Sequence, residues 1–203
     1  MAVIVQSVNS TTAGDNITAA AGDIVVIEST AVRAATGLIS QAIDADGVND
    51  VHIQNNGVLA SEEDTAVIIH GDSALINGPT GSLIGGDYGV RITQYASLIQ
   101  NSGQIHGDID GVLVDSNDAE SAGEAVIDNR GTITGMGDGV QVAEIQAHLT
   151  NSGSIIANQG DAITSVFAMT VVNSGTLSSQ DGGGFVNSAS SSDFHNTGVV
   201  AAE

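Results

Sequence analysis

Apolar and polar residues alternate in short runs, and these runs recur at a regular distance along the chain. The clearest marker is Asn-x-Gly followed two residues later by an aliphatic residue, as in NSGQI at 101–105 and NSGSI at 151–155. A degenerate copy, PTGSL at 79–83, fills the one gap in the series. Such a period indicates a repeated structural unit. The marker glycines are Gly57, Gly81, Gly103, Gly131, Gly153, Gly175 and Gly198, at intervals of 24, 22, 28, 22, 22 and 23 residues.

Around each marker, apolar positions have the two-residue period of a β-strand. Ile127 lies four residues before Gly131, and Ile133 lies two residues after it. Two more short apolar patches follow before the next marker, for example GVQVA at 139–143 and the residue Ile145. Three strands in about 22 residues leave no room for a helix of ordinary length. The pattern predicts an all-β fold, a right-handed parallel β-helix of about seven to eight coils with about 22 residues per coil.

The regularity of the repeat varies along the chain. Residues 51–203 are predicted to form the regular coils, and residues 1–50 an N-terminal cap with one or more degenerate coils. One continuous domain is expected. The last marker, NTGVV at 196–200, lies at the end of the chain, where an open strand edge would be a template for further pairing. We therefore expect a segment of a longer protein or a subunit covered by a neighbour.

The marker asparagines are candidates for a structural ladder. Asparagines at the same inward or corner position of successive coils can pass amide hydrogen bonds along the stack, and the adjacent glycine permits a tight corner. The alternative interpretation is that Asn-x-Gly is only a surface turn signal. Tyr95 and Phe167 are predicted to be interior stacking residues. The ladder candidates are Asn55, Asn101, Asn129, Asn151, Asn173 and Asn196.

Charge in this chain is almost entirely negative. It has 24 Asp and Glu residues against 3 Lys and Arg, which gives a net charge of -21, and it has no cysteine. A field of that sign repels phosphate, so nucleic acid and anionic membrane surfaces are not expected as partners. No apolar run reaches the length of about 18 residues that a membrane-spanning helix requires, so no transmembrane segment is predicted.

Aspartates form a second column shortly before the strand that follows each marker. Stacked carboxylates about 5 Å apart repel by about 0.8 kcal/mol per pair even in water, and a divalent cation would relieve that repulsion. The alternative is ordinary Asp-Gly turn chemistry, with the carboxylates in solvent. The column contains Asp64, and its candidate calcium ligands are Asp87, Asp110, Asp138 and Asp161. No other cofactor is predicted.

The single interval of 28 residues contains an insertion, DSNDAESAGEA at 115–125. Insertions in a solenoid project from one side of the rod, where they can form a binding face or remain as solvated loops. The candidate recognition or cation-binding residues are Asp115, Asp118, Glu120 and Glu124.

Two segments, LIQNSGQIHGDIDGVLV and VIDNRGTITGMGDGVQV, resemble the β-helical repeats in passenger regions of bacterial autotransporters. They are also similar to large repeat-rich surface proteins and adhesins of Gram-negative bacteria, some of which leave the cell by type I secretion. The resemblance covers about residues 50–203. It implies an extracellular or cell-surface location, a role in adhesion, self-association or scaffold building, and partners that are further copies, other surface proteins or polysaccharide. No export signal is visible in the chain, and the glycine-aspartate nonapeptide of calcium-binding secreted repeats is absent.

Three functional classes remain open from the sequence. The favoured one is a non-catalytic structural or adhesive β-helix, and the alternatives are a polysaccharide-active hydrolase or lyase and a phage tailspike-like segment. A lyase acting on uronates needs a base and cationic groups near the substrate carboxylate, but the three arginines do not cluster in sequence. A hydrolase would need paired carboxylates, for which Asp108 beside Asp110 or Asp138 are candidates, and His106 lies next to them.

Overall fold

A computed structural model describes residues 1–94, 96–116 and 123–202. The described residues form short β-strands and no helix. In chain order the strands are β1 (Val3–Gln6), β2 (Ser10–Thr12), β3 (Ile17–Thr18), β4 (Ile24–Ile27), β5 (Val32–Ala35), β6 (Ile43–Asp44), β7 (His52–Asn55), β8 (Val58–Ser61), β9 (Val67–Ile69), β10 (Ala74–Asn77), β11 (Ser82–Gly85), β12 (Tyr88–Ile92), β13 (Leu98–Asn101), β14 (Gln104–Gly107), β15 (Asp110–Val114), β16 (Glu124–Asn129), β17 (Thr132–Gly135), β18 (Val140–Val142), β19 (Gln146–Asn151), β20 (Ser154–Ala157), β21 (Ile163–Ser165), β22 (Met169–Asn173), β23 (Thr176–Ser179), β24 (Phe185–Asn187), β25 (Asp193–Asn196) and β26 (Val199–Ala202).

Every third strand pairs with its counterpart in the next coil, and all these pairs are parallel. Sheet A contains nine strands from β1 to β25, sheet B nine from β2 to β26, and sheet C eight from β3 to β24. The chain is a parallel β-solenoid of about 8 turns with roughly 23 residues per turn, which confirms the predicted fold class. At about 4.8 Å per coil the rod is roughly 40 Å long.

The two-residue alternation of the sequence becomes the inner and outer surfaces of the rod. Ile53, Leu75, Ile99, Ile127 and Leu149 are paired neighbours in sheet A and are fully or almost fully buried. A second column, from Leu59 to Leu177, lines sheet B in the same way. Each such side chain removed from water contributes about 1.5–3 kcal/mol, so the stacked columns are the main source of stability.

Residues 1–50 contain the strands of the first two coils. Strands β1 to β6 pair in parallel with one another and with β7 to β9, in the same three sheets as the later coils. Val25 continues the inward column below Ile53, with which it is paired. The repeat therefore begins before its Asn-x-Gly marker becomes visible in the sequence.

The prediction that Phe167 is an interior residue is wrong. Its side chain is 41% exposed, and it lies in the turn between β21 and β22. Ser165 and Met169 take the buried positions on either side, and the Ser165 hydroxyl bonds both the backbone N–H and the carbonyl oxygen of Phe167. Those bonds hold the turn so that Phe167 points outward. Tyr95 lies outside the described residues.

Candidate functional site

The marker asparagines occupy an inward column at the end of the sheet A strands, beside the corner between sheets A and B. From Asn55 onward, each Nδ2 atom donates to Oδ1 of the asparagine in the next coil, and the N···O distances lie between 2.7 and 2.8 Å. All these asparagines except the terminal Asn196 are fully or almost fully buried. The chain of amides comprises Asn55, Asn77, Asn101, Asn129, Asn151, Asn173 and Asn196.

One member, Asn77, was not among the sequence candidates. The marker in that coil is PTGSL, and Asn77 lies four residues before Gly81, whereas the other asparagines precede their glycine by two. The register places Asn77 between Asn55 and Asn101. The extra residues of NGPTG lengthen only the corner. The signal that identifies it is an asparagine at the end of each sheet A strand from β7 onward, counted from the strand and not from the glycine.

The corner glycines allow the amide chain to form. Oδ1 of Asn101 also accepts the backbone N–H of Gly103 at 3.2 Å, so both ends of the side-chain amide are used. A Cβ on Gly153 would collide with the carbonyl oxygen of Gly131 in the coil below. Close stacking of the corners therefore requires glycine, and the asparagine side chains satisfy the backbone groups there.

The aspartate column lies at the opposite end of sheet B, at its corner with sheet C. Oδ1 of Asp110 accepts the backbone N–H of Asp138 at 2.7 Å, and Oδ1 of Asp138 accepts that of Asp161 at 2.7 Å. Asp161 in turn accepts the N–H of Gly183 at 2.5 Å and the hydroxyl of Thr164 at 3.0 Å. Each carboxylate is thus bonded to the backbone of the coil above, so repulsion between carboxylates is offset by charge-assisted hydrogen bonds.

Glycine also controls this second column. The residue before each backbone N–H that donates to the column is Gly137, Gly160 or Gly182, and a Cβ on any of them would crowd the carboxylate of the coil below. At Asp110 the preceding residue is Ile109, and the backbone N–H of Ile109 bonds the carbonyl oxygen of Asp87. The chain of hydrogen bonds between aspartates and the next coil therefore begins at Asp110 and continues toward the C-terminus.

Burial changes the acidity of this column. Removal from water raises the pKa of the Asp110 carboxyl to about 6, partly offset by the N–H of Asp138, and Asp110 is only 5% exposed. Desolvation likewise raises the pKa of Asp138 and of Asp87, with the nearby Asp64 charge adding to the effect at Asp87. A buried carboxyl with a pKa near neutrality is chemically a proton donor or acceptor, but here backbone groups cover it.

Within the described part of the chain, no group of three or more His, Asp or Glu side chains has an arrangement that could hold a metal ion. In the column, Oδ1 of Asp110, Asp138 and Asp161 is already occupied by a backbone N–H. Calcium binding at Asp87, Asp110, Asp138 and Asp161 stays a prediction. Calcium would need the remaining carboxylate oxygens and backbone carbonyls as ligands.

The candidate loop residues are separated by the structure. The Asp115 carboxylate accepts hydrogen bonds from Nη2 of Arg91 at 2.7 Å and from Nε of Arg91 at 3.1 Å. The Asp115 side chain is only 18% exposed. This bidentate pair ties the start of the insertion to strand β12. Glu124 is exposed at the start of β16. Asp118 and Glu120 lie outside the described residues.

A histidine and a carboxylate pair on the surface near the aspartate column. Nε2 of His106 lies 3.1 Å from Oδ1 of Asp108, and both side chains are substantially exposed. Asp110, two residues further on, faces inward and is covered by the backbone of Asp138. The structure therefore places Asp108 and Asp110 in different environments, one in solvent and one buried.

The outer face of sheet B carries no charged residue, although the chain has a net charge of -21. This uncharged face consists of the outward side chains of the nine sheet B strands, all of which lie in the described part of the chain. They are Thr11, Val32, Ala34, Val58, Ala60, Ser82, Ile84, Gln104, His106, Thr132, Thr134, Ser154, Ile156, Thr176, Ser178, Val199 and Ala201. The sequence gives no hint of it because consecutive members are separated by a whole coil.

Carboxylates are concentrated next to that face, in the turns between sheets B and C and at the first residue of β15, and we call this region the acidic corner. Its members are Asp15, Glu62, Glu63, Asp64, Asp87, Asp108, Asp110, Asp138, Asp161 and Asp181. The turns on the other side of sheet B, toward sheet A, contain only Glu28 and Arg130 as charged residues. We call these turns the neutral corner.

The hollows on the described surface are shallow. One of about 280 Å³ lies on sheet A and the neutral corner, near Asn56, Pro79 and Arg130. Two lie on the uncharged face: one of about 490 Å³ is lined by Ala34, Ala60 and Ile84, and another is about 260 Å³. The first is bounded toward the acidic corner by Glu62 and Asp108, and the second is lined by Ile156, Ser178 and Gln180.

Arg33 is an unusual core residue. It takes the position in sheet B that Leu59 and Leu83 hold in the next coils, and it is only 6% exposed. Its Nε atom is buried with no hydrogen-bond partner, and no acidic side chain among the described residues lies within ion-pair distance. A buried donor without a hydrogen-bond partner destabilises a fold.

Comparison with known proteins identifies no relative. No protein-family model, no curated protein and no solved structure matches the chain. Among the described residues, no helix has the length and apolar character needed to span a membrane.

Proposed function

We propose that this chain is a non-catalytic structural and adhesive component outside the cell, at a bacterial surface, and that it self-associates by end-to-end addition of coils. The proposal joins the resemblance of its repeats to surface-protein repeats with the solenoid fold. Solenoids stack equivalent units, so one end of a rod presents a surface similar to the one that each internal coil already covers.

The observation that carries the proposal is the uncovered end of the amide chain at Asn196. Asn196 donates to the carbonyl oxygen of Gly198, and there is no next coil in the described chain to provide an Oδ1 acceptor. Gln6 occupies the same inward column at the other end, in β1. A second copy stacked with β1 on β25 would bring the Gln6 amide over Asn196 and give Asn196 an acceptor, while Ile27 separates Gln6 from the amide chain that starts at Asn55 of that copy.

Apolar side chains support the same junction. Phe194 and Val200 belong to the inward columns of sheets A and B, yet they are 39% and 43% exposed because no coil covers them. At the other end Ile4 belongs to the column that contains Phe194. Sheet C has one strand fewer than the other two, so sheets A and B would form the junction. Burial of these residues would favour association.

Electrostatic repulsion opposes this assembly. A net charge of -21 on each copy keeps rods apart at low ionic strength, and salt shortens the range of repulsion to a Debye length of about 8 Å at physiological strength. We expect sodium chloride to promote elongation. A further increase with calcium at the same ionic strength would support cation binding by the aspartate column.

The test uses the polypeptide of residues 1–203 in sedimentation and electron microscopy, in low salt with chelator, in sodium chloride and in calcium chloride. Val200→Lys places a charge in the inward column at the open edge and should abolish elongation. His195→Lys, which adds the same charge on an outward position of β25, is the matched control and should elongate normally. Rods of constant length in all conditions would contradict the proposal.

Location and lack of catalysis need separate measurements. Protease shaving of intact source cells should remove the protein if it is exposed at the surface. Purified protein should release no reducing ends or unsaturated products from acidic glycans. Depolymerisation that persists after repurification, together with a constant rod length, would favour the enzyme instead.

A further inference from the structure

We propose that the uncharged face of sheet B is a lateral interface at which two copies pair side by side, with their rods parallel. This inference rests on the proposed function, because it treats the chain as a self-associating component. It adds a second contact, distinct from the junction between rod ends, and it assigns the partner: another copy of this chain.

Charge distribution selects this face. Two molecules with a net charge of -21 repel each other, so they can approach only where carboxylates are absent from the contact. The outer face of sheet A includes Asp128 and Asp193, and the acidic corner lies between sheets B and C. The uncharged face of sheet B contains neither carboxylates nor cations over nine successive strands.

The position of the acidic corner also determines the relative orientation. If the twofold axis runs parallel to the rods, the acidic corner of each copy lies opposite the neutral corner of the other. If the axis runs across the rods, the two acidic corners face each other. Like charges brought together in this way disfavour the second arrangement. The parallel pair is therefore expected, with equivalent coils at the same height.

Shape and size permit such a pair. In-register parallel strands give a surface of roughly 40 Å by 13 Å, or about 500 Å² per copy, before the neutral corner is included. Stable interfaces bury about 800 Å² per partner, so a weak and reversible pair is expected. Ile84 and Val199 are exposed on this face, and the hollow over Ala34 and Ala60 provides space for a facing side chain, with Glu62 and Asp108 of the acidic corner at its edge.

The first test compares two threonines that are both outward and partly buried. Thr134 lies on the uncharged face of sheet B, and Thr150 lies on the outer face of sheet A. Sedimentation velocity and small-angle scattering in about 0.5 M salt would give the mass and cross-section of the particle. We expect Thr134→Glu to weaken pairing at least tenfold and Thr150→Glu to change it less than twofold. Ser178→Glu, also on the uncharged face, repeats the first variant at another coil.

The second test measures the orientation. The chain has no cysteine, so a single introduced cysteine is the only thiol that can form a disulfide. Ala60→Cys and Ser178→Cys lie in the same outward column near opposite ends of the rod. In a parallel pair each variant should form a disulfide-linked dimer with itself under mild oxidation. In an antiparallel pair only a mixture of the two variants would crosslink efficiently, and the proposed orientation would be overturned.

The outcomes separate this inference from end-to-end elongation. Lateral pairing doubles the cross-section at constant length, whereas elongation increases length at constant cross-section. Val200→Lys should stop elongation and still allow lateral pairing. A wild-type protein that keeps the cross-section of a single rod at the highest soluble concentration, or equal weakening by Thr134→Glu and Thr150→Glu, would overturn the lateral interface.

Discussion

Asn129 donates a hydrogen bond from Nδ2 to Oδ1 of Asn151 in the next coil, over 2.7 Å, and both side chains are fully buried. Asn151 repeats the same bond to Asn173, so each amide is at once donor and acceptor. Removing one member leaves an unsatisfied donor below and an unsatisfied acceptor above.

Asn151→Ala should therefore lower the free energy of unfolding by about 1–3 kcal/mol, because buried amides lose their partners. Thr150→Ala, at the outward neighbour on the same strand, is the control and should change stability by less than about 0.5 kcal/mol. Urea denaturation followed by circular dichroism would measure both. Equal midpoints for wild type and Asn151→Ala would show that the amide chain contributes nothing to stability.

Asp110 should make the stability of the fold depend on pH. Its folded pKa of about 6 exceeds the ordinary value of 3.8, so the ionised form is disfavoured by folding. Below about pH 4 the carboxyl is protonated in both states and the penalty is absent. As pH rises from about 4 to 6 the unfolded chain ionises first, and stability falls by about 1–3 kcal/mol before it levels.

Asp110→Asn removes that ionisation and retains an oxygen acceptor for the Asp138 N–H. The variant should match the wild type near pH 4 and exceed it in stability at pH 7.5. Asp181→Asn, at an exposed position of the acidic corner, serves as the control. Thermal melts across this pH range provide the measurement, and parallel curves for wild type and Asp110→Asn would contradict the prediction.

Gly160→Ala should disrupt the aspartate column. A Cβ there would collide with Oδ1 of Asp138, which holds the N–H of Asp161. We expect a loss of about 1–3 kcal/mol from the broken hydrogen bond and the shifted turn. Gly14→Ala is matched as a control because its added Cβ meets nothing within 4 Å. Chemical denaturation decides the point: similar losses in both variants would indicate a general glycine effect.

Arg33→Leu should stabilise the protein. Leucine fills the same column position in the next coils, at Leu59 and Leu83, and the substitution removes a buried Nε–H group that has no partner. An unsatisfied buried donor costs about 1–3 kcal/mol, so a gain of up to that size is expected. Arg130→Leu removes an exposed arginine and should have little effect. A drop in melting temperature for Arg33→Leu would reveal a partner for the guanidinium.

The fold could be predicted from the sequence because each coil is formed by one short, continuous stretch of chain with the same alternation of apolar and polar residues. Ile127 and Ile133, on either side of Gly131, already mark the inward positions of two consecutive strands. Pairing between coils follows from the repeat length. Asn77 was missed for the same reason: a corner with two extra residues moves the asparagine relative to the glycine while the strand keeps its register.

The burial and the partners of the candidate site residues were harder to predict from the sequence than the fold was. Asp110 and Asp108 are two residues apart in the sequence, yet only one is buried, because burial depends on the strand in which Asp110 lies and on the coil above. Asp115 is paired with Arg91, 24 residues earlier, and such a pair cannot be recognised until the register of β12 and β15 is known.

Because each coil contacts chiefly the coils directly below and above it, the rod has mechanical properties of its own. Tension applied between its two ends would load the parallel hydrogen bonds one coil at a time, starting with the uncovered strands β1 and β25. Each coil of about 22 residues would release roughly 70 Å of extended chain while the remaining coils kept their structure. A rod about 40 Å long thus stores several hundred ångströms of chain, enough to act as an extensible tether that dissipates force in steps.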